Sequence, residues 1–134
     1  KIAVTAGVHL TTREDKPGRF NALADILDRL VALDIDQLII AGDLFDKDVQ
    51  NYSEFEALCN GQSGVTIHVI PGNHDPSMEA KRFAADNIHA YSEATRADLG
   101  ATFLFVPYQH GISMGEAIAP ECDNLDRKTV VQGK

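Results

Sequence analysis

Three runs of apolar residues, each followed within a few positions by side chains that can bind metals, constrain the fold of this chain most. The runs are residues 1–6, 37–41 and 65–70. His9 follows the first run, Asp43 the second, and Asn73, His74 and Asp75 the third. An open α/β sheet gathers its ligands outside the carboxyl ends of its strands. We therefore expect these side chains to converge at one edge of a parallel sheet.

The residues between the runs predict helices that cross from strand to strand. The first run lacks polar alternation, which is typical of parallel strands covered on both faces. Apolar residues at helical spacing predict an amphipathic helix over residues 19–33. Strand, helix and strand then form a right-handed βαβ unit. The predicted fold class is α/β, a mostly parallel sheet with flanking helices.

Further elements are predicted along the rest of the chain. Asn51 and Glu54 resemble a capping box that opens a helix ending near Cys59. Pro76 suits the first position of a helix that continues to Ala85. The remaining predictions are strands at residues 101–106 and 129–131 and a short helix at 113–118. Because the chain stops where the last strand would need a continuation, we expect residues 1–134 to form a single, incomplete domain.

Composition and charge narrow the class of protein. Of the 134 residues, 44% are apolar and 24% are charged, as in globular domains, and no run approaches the roughly 20 apolar residues of a membrane span. The net charge of −8 lacks the basic balance of nucleic-acid-binding domains. An anionic substrate would have to be held locally, by bound cations and by Arg13, Lys16 or Arg19. Acidic residues are interleaved with these basic ones, so the segment is more simply interpreted as a solvated loop. The unpatterned Cys59 and Cys122 suit a reducing, cytoplasmic location.

The side chains at the predicted sheet edge suit the hydrolysis of a phosphoester. Two metal ions can stabilise the attacking and leaving oxygens and activate water near neutral pH. Asp43 is the natural bridging carboxylate, while His9 could bind one ion and the amide oxygen of Asn73 the other. A mixed nitrogen and oxygen donor set favours manganese, iron or zinc over calcium. His74 would donate a proton to the leaving oxygen, with Asp75 orienting its ring.

Simpler interpretations exist for the same residues. Asp75 could merely cap a following helix, Asp43 could be a turn residue, and His9 a loop residue. His68 lies within a predicted strand and is expected to be a packed, neutral histidine. Asp46 is expected to stabilise its loop, although it could also compensate for a carboxylate missing elsewhere in the site.

Two motifs carry a resemblance to a known family. Residues 42–46 read Gly-Asp-Leu-Phe-Asp and residues 71–75 read Pro-Gly-Asn-His-Asp, with His9 after the first strand. Together they resemble the calcineurin-like metallophosphoesterases, and within that family the SbcD-type nucleases that repair DNA double-strand breaks. The resemblance covers residues 1–76, and residues 105–108 are also similar to a strand and Pro-Tyr pair of that subgroup.

This resemblance implies a four-layer α/β/β/α sandwich and a binuclear, usually manganese-dependent, phosphodiesterase. It assigns Asp43 as the bridge between two divalent ions, His9 and Asn73 as ligands, and His74 as the catalytic acid. The implied substrate is DNA or another phosphodiester. The resemblance also implies two protein partners. One is an ATPase subunit, bound through regions outside this chain, and the other is a second copy of the protein in a homodimer.

The chain departs from the family pattern in two places. Gly7 stands where the family has the Asp of an Asp-x-His motif, and the three later histidines of the family are not found before Lys134. We expect a metal-dependent phosphodiesterase that resembles a DNA repair nuclease. The alternatives are a degenerate, non-catalytic binding module of the same fold and a generic phosphatase or small-molecule phosphodiesterase.

Overall fold

The computed structural model describes residues 1–48, 52–122 and 129–132. Four parallel strands form the first sheet, in the order β1-β2-β3-β4. These strands are Ile2–Thr5 (β1), Gln37–Ala41 (β2), Thr66–Ile70 (β3) and Ile88–Ala90 (β4). Helix α1 (Pro17–Ala32) connects β1 to β2, and helix α2 (Tyr52–Asn60) lies between β2 and β3. The prediction of an α/β fold with a mostly parallel sheet is confirmed.

A second sheet contains three strands, in the order β5-β6-β7. They are Thr95–Asp98 (β5), Thr102–Val106 (β6) and Thr129–Gln132 (β7), and β6 pairs antiparallel with β5 and parallel with β7. Helix α3 (Met114–Cys122) contacts this sheet, because the Arg96 guanidinium donates to the Glu121 carbonyl oxygen over 2.9 Å. The strands predicted at 101–106 and 129–131 and the helix predicted at 113–118 are therefore present, while β4 and β5 were not predicted.

The central strands of the first sheet, β2 and β3, are covered on both faces, which explains their apolar sequences. The edge strand β1, which was expected to be covered in the same way, is partly open, and its Val4 is 60% exposed. Leu38 and Ile40 of β2 pack in the core on the helical side, together with four buried residues of α1. Ile39, between them in sequence, lies in a second core with Phe105 of β6. Alternate residues of one strand thus bury opposite faces, one against helices and one against the second sheet.

The helix predicted from Pro76 to Ala85 is wrong. The structure has only a single 3₁₀ turn there, Ala80–Arg82. Side chains distant in the sequence bind the backbone of this segment: Asp48 accepts from the Ser77 amide over 2.7 Å, and Glu56 accepts from the Ala84 and Ala85 amides. Backbone N–H groups satisfied in this way do not need the hydrogen bonds of a helix.

Two further predictions concern the ends of the helices. The predicted boundaries of the first helix, 19–33, differ from those of α1 by two residues at the start and one at the end. The proposed capping residue Asn51 lies outside the described residues, so this prediction stays a prediction. No helix in the described part of the chain is long and apolar enough to cross a membrane.

Candidate metal centre

The loops that leave β1 and β2 run side by side and bring His9 next to Asp43. Backbone hydrogen bonds continue past the strands: the Gly7 amide donates to the Gly42 carbonyl oxygen (3.1 Å) and the His9 amide to the Asp43 carbonyl oxygen (2.9 Å). The Leu10 amide then donates to the Leu44 carbonyl oxygen over 2.7 Å. As a result, two side chains 34 positions apart in the sequence lie at the same edge of the sheet.

The backbone of these loops is held in an uncommon conformation. His9 and Asp43 have φ angles of +50° and +52°, and Gly7 and Gly42 have φ angles of +62° and +88°. Non-glycine residues with positive φ cost roughly 1–3 kcal/mol and cluster at functional sites. The observed strain therefore marks this edge of the sheet as a candidate site.

His74 joins the pair from the loop after β3. Its amide donates to Asp43 Oδ1 over 3.1 Å, and its ring lies edge-on to the His9 ring, with 4.7 Å between centroids. One ligand atom from each of His9, Asp43 and His74 lies within 4.8 Å of the other two. The structure thus brings one carboxylate and two imidazoles together from three neighbouring strand ends.

The orientation of the His74 ring is set by a backbone carbonyl group. His74 Nδ1 lies 3.0 Å from the carbonyl oxygen of Asp46. Because a carbonyl oxygen can only accept, Nδ1 carries the hydrogen. Nε2 is then left free either to bind a cation or, when protonated, to donate.

The prediction that Asp75 orients the His74 ring is wrong in this structure. The Asp75 carboxylate is fully buried, and its two oxygens accept from the amides of Gly72 (2.8 Å) and Phe45 (2.9 Å). Burial raises the pKa of Asp75 above its usual value, and the two amide hydrogen bonds oppose that rise. Asp75 therefore fastens the loop after β3 to the loop after β2.

Asn73 is the predicted ligand that the structure leaves outside the cluster of three. Its side chain is exposed and makes no hydrogen bond with any residue in the described part of the chain. Its position between Gly72 and His74 keeps it at the same sheet edge. Its assignment as a metal ligand stays a prediction.

The residues present fit a divalent cation. Asp43 is only 8% exposed, and its Oδ2 lies 3.9 Å from His9 Nε2. His9 Nδ1 is buried and has no hydrogen-bond partner among the residues that the structure describes. Imidazole and carboxylate donors together are a set that manganese, iron and zinc accept. Three such donors suffice for one ion, whereas a second ion would need ligands beyond these three.

Gly7 has room for a side chain on the side that faces His9. A Cβ atom built there would lie 3.7 Å from His9 Nε2, which is an ordinary contact. The Cβ atom of an aspartate would thus fit at this position beside His9, although its φ of +62° is strained for a residue with a side chain.

Sequence reasoning gave too little weight to two residues beside the cluster, Arg19 and Asp46. Arg19 donates to the His9 carbonyl oxygen, and its guanidinium lies 3.7 Å from Asp46 Oδ1. Asp46 Oδ1 is also 3.5 Å from His9 Nδ1. The only signals in the sequence were the second Asp of the Gly-Asp-Leu-Phe-Asp motif and a basic residue at the start of α1.

The fold and this arrangement agree with the comparison with known families. The chain belongs to the calcineurin-like phosphoesterases, because a sequence model of that family matches residues 1–125. Membership of this family, which the sequence predicted from its motifs, is thereby confirmed.

One solved structure with a similar fold is a nuclease. It is the crystal structure of Pseudomonas putida nuclease MPE, whose sequence is 25% identical to this chain; the two structures superpose with a TM-score of 0.50. The match covers 82% of this chain but only 56% of that chain, so this chain spans a little over half of that nuclease. The comparison with curated proteins gave no match.

Proposed function

We propose that this domain hydrolyses phosphodiesters with the help of divalent metal ions, and that its substrate is DNA. The observation that carries the proposal is the convergence of His9, Asp43 and His74 within 4.8 Å at the ends of three parallel strands. Membership of the phosphoesterase family and the similarity to a nuclease support the same reaction.

Each residue of the cluster has a role in this proposal. A divalent ion held here would polarise the phosphate and supply a nucleophile near neutral pH. His9 and Asp43 would hold the ion, and Asn73 would be available for a second one; manganese is the metal that we propose. His74 donates a proton from Nε2 to the leaving oxygen, while its Nδ1–H remains on the Asp46 carbonyl oxygen in both charge states of the ring.

An anionic substrate needs local positive charge, since the chain carries a net charge of −8. Arg19 is the basic side chain that lies beside the cluster, where it contacts His9 and Asp46. The Arg19 side chain is 38% exposed, and we propose that its guanidinium helps to hold a phosphate of the substrate.

A second candidate function is binding of a phosphodiester without cleavage. Gly7 favours it, because this position faces His9 and offers no carboxylate. A site that lacks one anionic ligand would hold its first ion more weakly than a complete one.

The experiment that separates the two is an assay of bis-p-nitrophenyl phosphate hydrolysis at increasing Mn²⁺ concentration. The proposal expects Mn²⁺-dependent turnover that is lost in Asp43→Asn and kept in Asp25→Asn, an exposed residue of α1 with the same change of charge. No turnover despite Mn²⁺ binding would favour the binding function.

Duplex DNA with free ends is the second substrate in that assay. Cleavage that follows the same Mn²⁺ dependence supports a nuclease. Hydrolysis of the small ester without any cleavage of DNA would instead indicate a generic phosphodiesterase.

A further inference from the structure

We propose that Asp46 is a positioning residue for His9: its carboxylate accepts the Nδ1–H of the His9 ring and thereby leaves the Nε2 lone pair, on the side of Asp43, free to bind a cation. The inference deepens the proposed function, because it concerns the same site, yet the state of the His9 ring can be measured without any metal.

The two ring nitrogens of His9 face different neighbours. Nε2 lies 3.9 Å from Asp43 Oδ2 and would lie 3.7 Å from a Cβ atom at position 7. Nδ1, on the other side of the ring, lies 3.5 Å from Asp46 Oδ1. Nε2 therefore faces the cluster, and Nδ1 faces the Asp46 carboxylate.

His9 Nδ1 lies close to the Asp46 carboxylate but forms no hydrogen bond with it. It is buried and, within the described part of the chain, has no hydrogen bond, an arrangement that is unfavourable for a polar group. The present 3.5 Å exceeds a normal hydrogen bond by about 0.5 Å. The backbone of Asp46 is fixed at both ends, since its amide donates to Leu10 and its carbonyl oxygen accepts from His74.

Asp46 lies outside the cluster that His9, Asp43 and His74 form. Among the described residues, the group whose ligand atoms lie within 4.8 Å of one another contains His9, Asp43 and His74 but not Asp46. A carboxylate behind a metal-binding imidazole fixes its tautomer and its orientation. Arg19, 3.7 Å from the same oxygen, holds the carboxylate in place and balances its charge.

This support matters more in a chain with Gly7. Without a carboxylate at position 7, binding of the first ion depends on the correct tautomer of His9 and on Asp43. Loss of a carboxylate that orients a metal-binding histidine typically costs about 10–100-fold in metal affinity. We expect a loss of this size on removal of the Asp46 carboxylate.

The first test reads the tautomers of the 134-residue chain by long-range ¹H–¹⁵N NMR of labelled histidines, without metal and at a pH at which the rings are neutral. We expect His9 to carry its hydrogen on Nδ1 in the wild type and to lose this preference in Asp46→Ala. Asp46→Asn keeps an acceptor oxygen and should retain it. His74 is an internal control: its Nδ1–H is bound to a backbone carbonyl oxygen, so it should be unchanged in both variants.

The second test measures Mn²⁺ affinity by calorimetry. We expect Asp46→Ala to weaken binding by at least about tenfold, whereas Asp25→Ala, an exposed control, should have no effect. An Nε2–H tautomer of His9 in the wild type, or a tautomer unchanged in Asp46→Ala, would overturn the inference. An Nδ1–H tautomer that depends on Asp46, in a protein that binds no Mn²⁺, would uphold it and instead contradict the proposed function.

Discussion

At the scale of single residues, Asp75 supports the site without joining the cluster. Its two carboxylate oxygens accept from amides in two different loops, those of Phe45 and Gly72. These loops also carry Asp43 and His74, so the position of one relative to the other depends on a buried carboxylate. The sequence placed Asp75 at the site but could not show which donors it binds.

Replacement of Asp75 by Asn should destabilise the protein. An amide group offers one oxygen, so its NH₂ group would face one of the two backbone N–H donors and leave that donor buried without a partner. We expect a loss of about 1–3 kcal/mol in the free energy of unfolding, measured with urea. Asp98→Asn is the control, because the exposed Asp98 accepts from one amide, that of Gly100, and Asn can do the same. Equal stability of the two variants would contradict this role of Asp75.

His74→Ala tests the difference between a proton donor and a ligand. If His74 acts as the acid, the variant should keep Mn²⁺ affinity within a few-fold and lose at least about 100-fold in turnover of bis-p-nitrophenyl phosphate. Calorimetry and the kinetic assay measure the two effects on the same protein. A parallel loss of affinity and turnover would mean that the Nε2 atom is chiefly a ligand.

At the scale of elements, strands buried on both faces were predictable and contacts between distant loops were not. Residues 37–41 and 65–70 form β2 and β3 because an apolar run is the direct signature of such a strand. Residues 1–6 form β1 as predicted, although this edge strand leaves Val4 60% exposed. The helix predicted from Pro76 to Ala85 does not form, because Asp48 and Glu56 bind the backbone of this segment from elsewhere in the chain. The roles of Asp46 and Arg19 depend on loop paths in the same way.

The loop after β1 provides a test of the first metal position. Gly7→Asp places a carboxylate next to His9 Nε2, with room for its Cβ but with a strained φ. We expect Mn²⁺ affinity to rise by at least about tenfold, at a cost in stability of roughly 1–2 kcal/mol. Gly64→Asp adds the same charge at an exposed position just before β3 and should change neither quantity. Unchanged Mn²⁺ binding in Gly7→Asp would show that the first ion lies elsewhere.

At the scale of the whole molecule, His68 lies between the two sheets and links stability to pH. It is 3% exposed, and its two ring nitrogens bond to Gln37 (2.7 Å) and Tyr91 (2.8 Å). Desolvation, with a smaller contribution from the stacked His89, lowers the pKa of His68 to about 4. The prediction of a packed, neutral histidine is thereby confirmed.

The lowered pKa predicts a loss of stability in mild acid. In the unfolded chain a histidine titrates near 6.5, so between about pH 6.5 and 4 the unfolded state binds a proton that the folded state does not. Stability is therefore complete above pH 6.5 and falls with pH through this window, by an amount on the order of 3 kcal/mol. Urea unfolding of the wild type and of His68→Gln, as a function of pH, isolates this contribution. The same pH dependence in both proteins would contradict it.

The proposed function requires that the cluster of His9, Asp43 and His74 binds a cation. One measurement tests this requirement most directly. Mn²⁺ is titrated calorimetrically into the wild type and into Asp43→Asn, a variant that keeps an acceptor oxygen for the His74 amide but removes the charge. We predict saturable binding in the wild type and an affinity at least about tenfold lower in the variant. Equal affinities, or no binding by the wild type, would contradict the assignment of the site around Asp43 as a metal centre.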